Sequence, residues 1–326
     1  MFGWYGRCAR RLSPVLLLIL GACVPTAARR HFRFKYDVTV TDLPPSAQFV
    51  DIWLPVPPET PQQTVRRVHI ESPGDGEWKR ESVYGNRVWH ARLPRPKSGT
   101  INVTQLVEIV RCEQSVDLSE KQTKRLKSDE LKRFLEPNDM VPLTERFASI
   151  AEEQTLGIGG PMDRSRALYD YVLDRMSYDK TGDGWGRGDA NYACDIGTGN
   201  CTDFHSLFIA LHRSLDTPAR FWIGFPLPAE RGEGEIGGYH CWAEFWLPDV
   251  GWVPVDISEA DKHPEKAEYF FGNIDENRVV FTLGRDLVLP PGQKGPPVNF
   301  FIYPYVEVDG KVWDKVQQRF SFEDLN

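Results

Sequence analysis

The stretch from Gly199 to Pro218 constrains the fold more than any other part of the chain. Gly199 and Asn200 lead into Cys201-Thr-Asp-Phe-His-Ser-Leu-Phe-Ile-Ala-Leu-His-Arg-Ser-Leu215, where Phe204, Leu207, Phe208 and Leu211 recur every three or four residues, and Pro218 ends the run. This spacing sets four large apolar side chains on one face of a helix over about residues 202–215, a face that must be buried. The C-terminal third supplies the partner, because Arg220 to Phe322 reads as short segments with the period-two alternation of strands. Helical periodicity also begins near Leu143. It recurs from Asp163 to Met176, where Pro161 and Asp163 are start signals and Ala167, Leu168, Tyr171, Val172 and Met176 space the apolar groups. The predicted class of this half is α+β, with the Cys-bearing helix packed on an antiparallel sheet.

Upstream, residues 32–112 alternate in segments such as Phe34 to Val40, Phe49 to Leu54 and Ile101 to Val107. Pro44-Pro45, Pro57-Pro58 and Ser72-Pro-Gly-Asp-Gly76 punctuate them. A small antiparallel β domain of the sandwich type is expected there. Residues 113–139 carry Lys121, Lys124, Arg125, Lys127, Lys132 and Arg133 against several acids and read as a charged linker, leaving 140–326 as a second domain with a β-rich C-terminal extension. With 41% hydrophobic and 12% aromatic residues the chain can build a core, which excludes long-range disorder. Repeated apolar runs of about 18 residues are lacking, which excludes a polytopic membrane protein. A net charge of -7 without a Lys/Arg-dense stretch gives no footprint for a phosphate backbone, so nucleic acid is excluded as a partner.

The first 22 residues read as a signal peptide: basic residues up to Arg11, the apolar run Val15 to Leu20, then the small residues Gly21 and Ala22. Leu20-Gly21-Ala22-Cys23 closely resembles the lipobox of bacterial lipoproteins. That resemblance implies lipid attachment at Cys23, a membrane partner and export to the cell envelope. With Val24 and not Asp in the next position, it implies an outer-membrane lipoprotein facing the periplasm. An oxidising envelope permits disulfides, so a Cys194–Cys241 bridge stays open, and the absence of any CxxC pair gives no support to a zinc ribbon or a thioredoxin-type site.

Cys201 is placed for chemistry. After a glycine turn and in the first turn of a helix, unpaired N–H groups and the helix dipole favour thiolate over thiol and can hold an oxyanion. Such a nucleophile needs a base, and Gly238-Tyr-His-Cys-Trp-Ala-Glu-Phe-Trp246 offers His240 on an alternating strand. A second strand, Trp252-Val-Pro-Val-Asp-Ile257, comes at once after it. A hairpin turning over Leu247, Pro248 and Asp249 would oppose Glu244 to Trp252, Trp242 to Pro254 and His240 to Asp256, bringing the Asp256 carboxylate to the imidazole. His205, one turn after Cys201, competes for the role of base but is better read as a satisfied structural histidine. Cys201, His205, His240 and Cys241 could be counted as zinc ligands, yet Cys241 should alternate to the strand face opposite His240. The run Asp179 to Gly184 partly matches a calcium loop but has Ala190 where Glu is expected, so no metal or cofactor is predicted. Asp203 and Glu259 read as structural groups at a helix start and a strand end.

The blocks GNCTDFHSLFIALHRSLDTPARF, GYHCWAEFW and GWVPVDISEA, in this order and spacing across about Leu143 to Glu259, resemble the Cys, His and Asp blocks of bacterial transglutaminase-like proteins. The resemblance implies a papain-like core in which Cys201 is the nucleophile, His240 the general base and acid, and Asp256 the orienting carboxylate. It also implies a side-chain oxyanion donor upstream of the nucleophile, for which Trp185 ranks ahead of Tyr192 and Asn200. The function implied is cysteine-dependent acyl transfer through a thioester, acting on amide bonds of peptides or proteins in the envelope and more readily as a hydrolase. A protein-crosslinking transglutaminase and a non-catalytic, lipid-anchored peptide-binding scaffold are the alternatives.

Overall fold

The computed structural model describes residues 27–119 and 128–325; the leader with Cys23 and part of the charged segment lie outside the described residues. The chain begins with β1 (Arg29–Val40), β2 (Phe49–Val56), β3 (Gln63–Glu71), β4 (Glu77–Arg80), β5 (Arg87–Pro94), β6 (Ile101–Cys112) and β7 (Gln114–Ser115). Then come α1 (Ser128–Lys132), α2 (Glu145–Gln154), α3 (Pro161–Arg175), β8 (Ser177–Tyr178), α4 (Ala190–Ile196), β9 (Thr198–Gly199) and α5 (Cys201–Ser214). The last third holds β10 (Ala219–Pro226), β11 (Glu233–Ile236), β12 (His240–Leu247), β13 (Gly251–Val255), α6 (Ile257–Lys262), β14 (Asn273–Ile274), β15 (Arg278–Leu283), β16 (Tyr305–Val308), β17 (Lys311–Val312) and β18 (Val316–Asp324).

Alternation in β1 sends Phe32, Phe34, Tyr36, Val38 and Val40 inward, so the strand is buried on one face only, as an antiparallel sandwich requires. Two five-stranded sheets form that sandwich, in the orders β11-β18-β1-β6-β3 and β17-β16-β2-β5-β4. Both draw strands from the C-terminal end: β18 pairs with β1, setting Phe322 opposite Phe34 and Phe320 opposite Tyr36, and β16 pairs with β2. The aromatic run before β16 completes the interior, with Phe301 and Ile302 buried and the Ile302 carbonyl accepting from the Tyr36 hydroxyl at 3.0 Å.

The second half is the α+β core. Its antiparallel sheet runs β13-β12-β10-β15, and α5 lies across it. The apolar face expected of α5 is present, but residues Cys201 to Arg213 are all buried, because α2, α3 and α4 cover the side turned away from the sheet. Ser206 Oγ is therefore bonded internally, donating to the Thr202 carbonyl, and the Arg213 guanidinium donates to the carbonyls of Ala219 and Glu136. The glycine-rich segment before α5, which reads as loop, contains α4, held by an Asp189 N-cap bonded to the Asn191 N–H and ended by Gly197 at φ 74°.

Sandwich and core share one interior. Phe225 of β10 packs against Phe34 of β1 at 5.1 Å between ring centroids, Phe320 of β18 at 4.3 Å and Phe281 of β15 at 5.1 Å. Phe225→Ala should therefore lower unfolding free energy by about 3–5 kcal/mol. Urea denaturation checks this, and an unchanged midpoint would refute the shared core.

Candidate active site

The start of α5 is fixed by a reciprocal cap. Asn200 Oδ1 accepts from the Thr202 N–H at 2.9 Å, and the Asn200 N–H donates to Asp203 Oδ2 at 2.9 Å. The amide of Cys201, the first helical residue, lies between the capped groups. Asp203 does more than serve the helix start, because its carboxylate also accepts from the N–H groups of Gly186 at 2.7 Å and Gly188 at 3.0 Å, pinning the glycine-rich loop against the N-terminal end of the helix. Burial outweighs those donors and keeps its pKa above the usual value. A Cβ at Gly199 would stand 2.5 Å from Asp203 Oδ2, which is why the residue two places before Cys201 must be glycine. Buried Arg285 braces the same loop from behind, donating to the Gly188 carbonyl at 2.8 Å and to Ser206 Oγ at 2.6 Å.

His240 and Asp256 meet at 2.6 Å, Nε2 to Oδ2, and both are buried. The predicted hairpin is present with its register moved by two residues. Ala243 opposes Val255, Glu244 opposes Pro254 and Trp246 opposes Trp252, and the turn runs through Pro248 to Val250. Because the side-chain period is two, this shift keeps Asp256 on the face of His240 while moving it off the directly opposed position. The chain leaves β13 at Asp256, which caps α6 and reaches diagonally to the imidazole. Its Oδ1 accepts from the Ser258 hydroxyl and the Glu259 N–H, each at 3.1 Å. Its Oδ2 also faces Arg278 Nη2 at 3.3 Å, a buried arginine at the start of β15 that sequence reading did not single out. Burial works against the charge on Asp256, but His240 and Arg278 override it and hold the carboxyl well below the usual range.

With Nε2 engaged by Asp256, the other ring nitrogen of His240 is left for Cys201, whose thiol hydrogen-bonds both His240 and Cys241. Burial pushes the Cys201 thiol up, yet the bonds from Cys241 and His240, together with the imidazole charge, bring it well below its ordinary value. Burial likewise opposes protonation of His240, but Asp256 and Cys201 raise its pKa to about 9. The favoured pair is thiolate and imidazolium, screened from water: Cys201 is 2% and His240 3% exposed.

His205 is structural, as its position one turn into α5 suggests. Its Nε2 accepts from the Ile257 N–H at 3.1 Å and its Nδ1–H donates to the Cys201 carbonyl at 2.7 Å, which ties α5 to the turn that carries Asp256. Cys241 departs from the expectation that it lies on the face away from His240. Its Sγ is 3.6 Å from His205 Nδ1, and it contacts Cys201. His240 and Cys241 are the first two residues of β12, which packs against α5. Cys194, Cys201 and Cys241 are all free thiols, so the conceivable Cys194–Cys241 bridge is absent.

Trp185 sits half-buried in the pinned loop, with Lys180 Nζ 6.0 Å from its ring centre. Tyr192 packs beneath Gly184, and Asn200 is committed to the cap. Tyr239, which sequence reading passed over, bridges these parts: Asn200 Nδ2 donates to its hydroxyl at 3.0 Å, and that hydroxyl donates to the Gly186 carbonyl at 3.4 Å. Asp179 closes a local turn with the Thr181 N–H and hydroxyl, both at 2.8 Å. Among the described residues, no group of three or more His, Cys, Asp or Glu side chains is arranged to hold a metal ion.

Residues 148–257, the span that carries Cys201, His240 and Asp256, match the profile of the Transglutaminase-like superfamily. Residues 148–257 form a transglutaminase-like domain. An uncharacterized protein of Haemophilus influenzae is 29% identical over 330 residues, covering 86% of each chain. The Bacillus subtilis protein YebA is 24% identical over 146 residues, 40% of this chain and 20% of its own length. A proposed cysteine protease of Cytophaga hutchinsonii has a similar structure, with a TM-score of 0.62 and 16% identity over 92% of both chains, so the fold is shared from the sandwich through the core. This transglutaminase-like core is the scaffold of a cysteine-dependent enzyme.

The geometry sets a pH signature for the transglutaminase-like site. Alkylation of Cys201 by iodoacetamide should already be rapid well below the ordinary thiol pKa of about 8.5. The imidazolium that supports the thiolate should persist until pH rises through about 9, where His240 loses its proton. Asp256→Asn removes the charge that raises His240, and labelling should then move toward the ordinary thiol range. Peptide mass spectrometry across pH reads both effects, and a wild-type profile centred near 8.5 would refute the ion pair.

Proposed function

We propose that the protein is a cysteine-dependent acyl-transfer enzyme that cleaves amide bonds of peptides or proteins, with Cys201 as nucleophile, His240 as general base and acid, and Asp256 as the orienting carboxylate. The observation that carries this reading is the buried chain of contacts from the Cys201 thiol through His240 to Asp256, closed at 2.6 Å. In the first step the Cys201 sulfur attacks the carbonyl carbon and the oxygen takes up negative charge. The Cys201 amide at the start of α5 is aimed at that oxygen, with Trp185 as the second donor from the pinned loop. The amine leaves with the proton of the His240 imidazolium, giving a thioester. His240 then takes a proton from water as the water attacks the thioester, releasing a carboxylic acid and restoring the thiolate.

A primary amine in place of water would give a new amide by the same steps and make the protein a crosslinking enzyme. The likeness in fold to a proposed cysteine protease supports the hydrolytic reading. We assign the activity to the bacterial envelope, with Cys23 as a lipid anchor on the outer membrane, on the order of basic, apolar and small residues ahead of Cys23.

A mixed peptide library incubated with the protein, with and without a fluorescent primary amine, tests this. The expected outcome is free acid products at a rate that falls off on the alkaline side near pH 9, and a loss of about 10²–10⁴-fold in His240→Ala. Amine incorporation exceeding hydrolysis would favour crosslinking. No turnover together with ordinary thiol reactivity would leave a peptide-binding scaffold.

A further inference from the structure

Tyr178 stands where three parts of the site meet. β8 pairs in parallel with β9, which sets Tyr178 beside Gly199, two residues before the nucleophile, and the Asp179 N–H donates to the Gly199 carbonyl at 3.1 Å. The Tyr178 N–H donates to Asp261 Oδ2 on α6 at 2.8 Å, and its ring centre lies 6.4 Å from that of Phe204 on α5. The side chain is half-buried, and burial together with the neighbouring Cys201 charge raises the pKa of its hydroxyl. This ring therefore lines the approach to Cys201 from the side of β8.

Two ammonium groups lie against it. Lys262 Nζ is 4.1 Å from the Tyr178 ring centre; Lys180 Nζ is 5.4 Å from the same centre and 6.0 Å from that of Trp185 in the pinned loop. Lys262 is answered by a carboxylate, since its Nζ meets Glu259 Oε1 at 2.6 Å. Lys180 is exposed and makes no ion pair among the described residues. The nearby acids are engaged elsewhere or stand apart. Asp179 spends one oxygen on the Thr181 N–H and the other on its hydroxyl, Asp261 accepts the Tyr178 N–H, and Asp183, exposed in the turn that follows, forms no ion pair. The negative faces of two aromatic rings hold the Lys180 ammonium beside the nucleophile without neutralising it.

We propose that Lys180, held over Tyr178 and Trp185, is a binding subsite for a carboxylate of the substrate, so that the preferred peptide carries a free carboxylate, on an acidic side chain or a chain terminus, next to the amide that Cys201 attacks. The choice of a peptide as ligand rests on the proposed function; the uncompensated cation does not. The ammonium offers a charge-assisted hydrogen bond to the carboxylate, and the two rings restrict where it can stand, so less freedom is lost when the bond forms. A neutral amide in the same place gains no such bond. A cationic side chain is repelled by Lys180 and Lys262 together, which disfavours a protonated lysine as an incoming acceptor.

Two capped peptide pools of the same random composition, one with Asp and the other with Asn at a single fixed position, are the probe. They are captured on immobilised Cys201→Ala protein, which cannot form a thioester, and counted by mass spectrometry. The expected result is an enrichment of the Asp pool over the Asn pool of about fivefold or more, reduced at about 1 M NaCl. Lys180→Ala in the same background should abolish the enrichment without lowering capture of the Asn pool, and Lys180→Arg should keep it. Lys311→Ala, which removes an exposed cation from β17, should change neither pool. Equal capture of the two pools overturns the subsite, as does an enrichment that survives Lys180→Ala. Incubation of both pools with the wild-type protein separates this reading from the catalytic one. Cleavage of either pool without preferential capture sinks the carboxylate subsite alone. Preferential capture that depends on Lys180, without cleavage of either pool, leaves the subsite standing and sinks the amide-cleaving function.

Discussion

The contact between His240 Nε2 and Asp256 Oδ2 sets a carboxylate and an imidazole 2.6 Å apart where solvent does not reach them. Isolated charges there would be costly, so each must be answered by a bonded neighbour. Asp256 is answered by Arg278, the Ser258 hydroxyl and the Glu259 N–H, and His240 by Asp256 and the Cys201 thiol. These partners come from β12, the start of α6, β15 and α5, so the four elements are held in one relative position by charge as well as by apolar packing. His205 adds a neutral fastening between α5 and α6. Asp203 and Arg285 do the same for the glycine-rich loop, together with Tyr239 at the Gly186 carbonyl.

Local chemistry carried most of this into the sequence. The apolar period of Phe204, Leu207, Phe208 and Leu211 marks α5, and the glycine before Asn200 marks where it starts, because both are requirements of a single element. The hairpin was legible in its parity and not in its register. His240 and Asp256 share a face whichever even offset the turn selects, but a turn through Val250 and the departure of the chain at Asp256 are properties of the loop. Cys241 was misplaced by strict alternation, a rule that holds within a strand and weakens at its first residue. Arg278 and Tyr239 gave no signal, since a buried arginine and a tyrosine next to the histidine acquire meaning only from partners distant in the chain. The helix α4 was hidden by the glycines around it, although Asp189 and Gly197 were its caps.

The N-terminal sandwich was expected from segments that lie together in the sequence, and its interior also takes in residues from the C-terminal end. What alternation could not reveal is which strands close it, because pairing partners leave no mark in a period-two pattern. The C-terminal aromatic residues Phe320 and Phe322 fill the row opposite Tyr36 and Phe34. Phe225 then joins that row to the sheet that carries His240.

The pairing of β1 with β18 also orders events in time. The register joins Phe32 to Asp324 and Val40 to Val316, so one edge of β1 is completed by residues synthesised long after it. During synthesis β1 can pair only with β6, and its other edge stays an open template for any extended chain nearby. Contacts of such long sequence separation make slow steps in folding, since the loop they close is long. The residues that assemble around Cys201 are all synthesised before β18, so the reactive thiol is formed inside a molecule whose outer sheet is still unfinished.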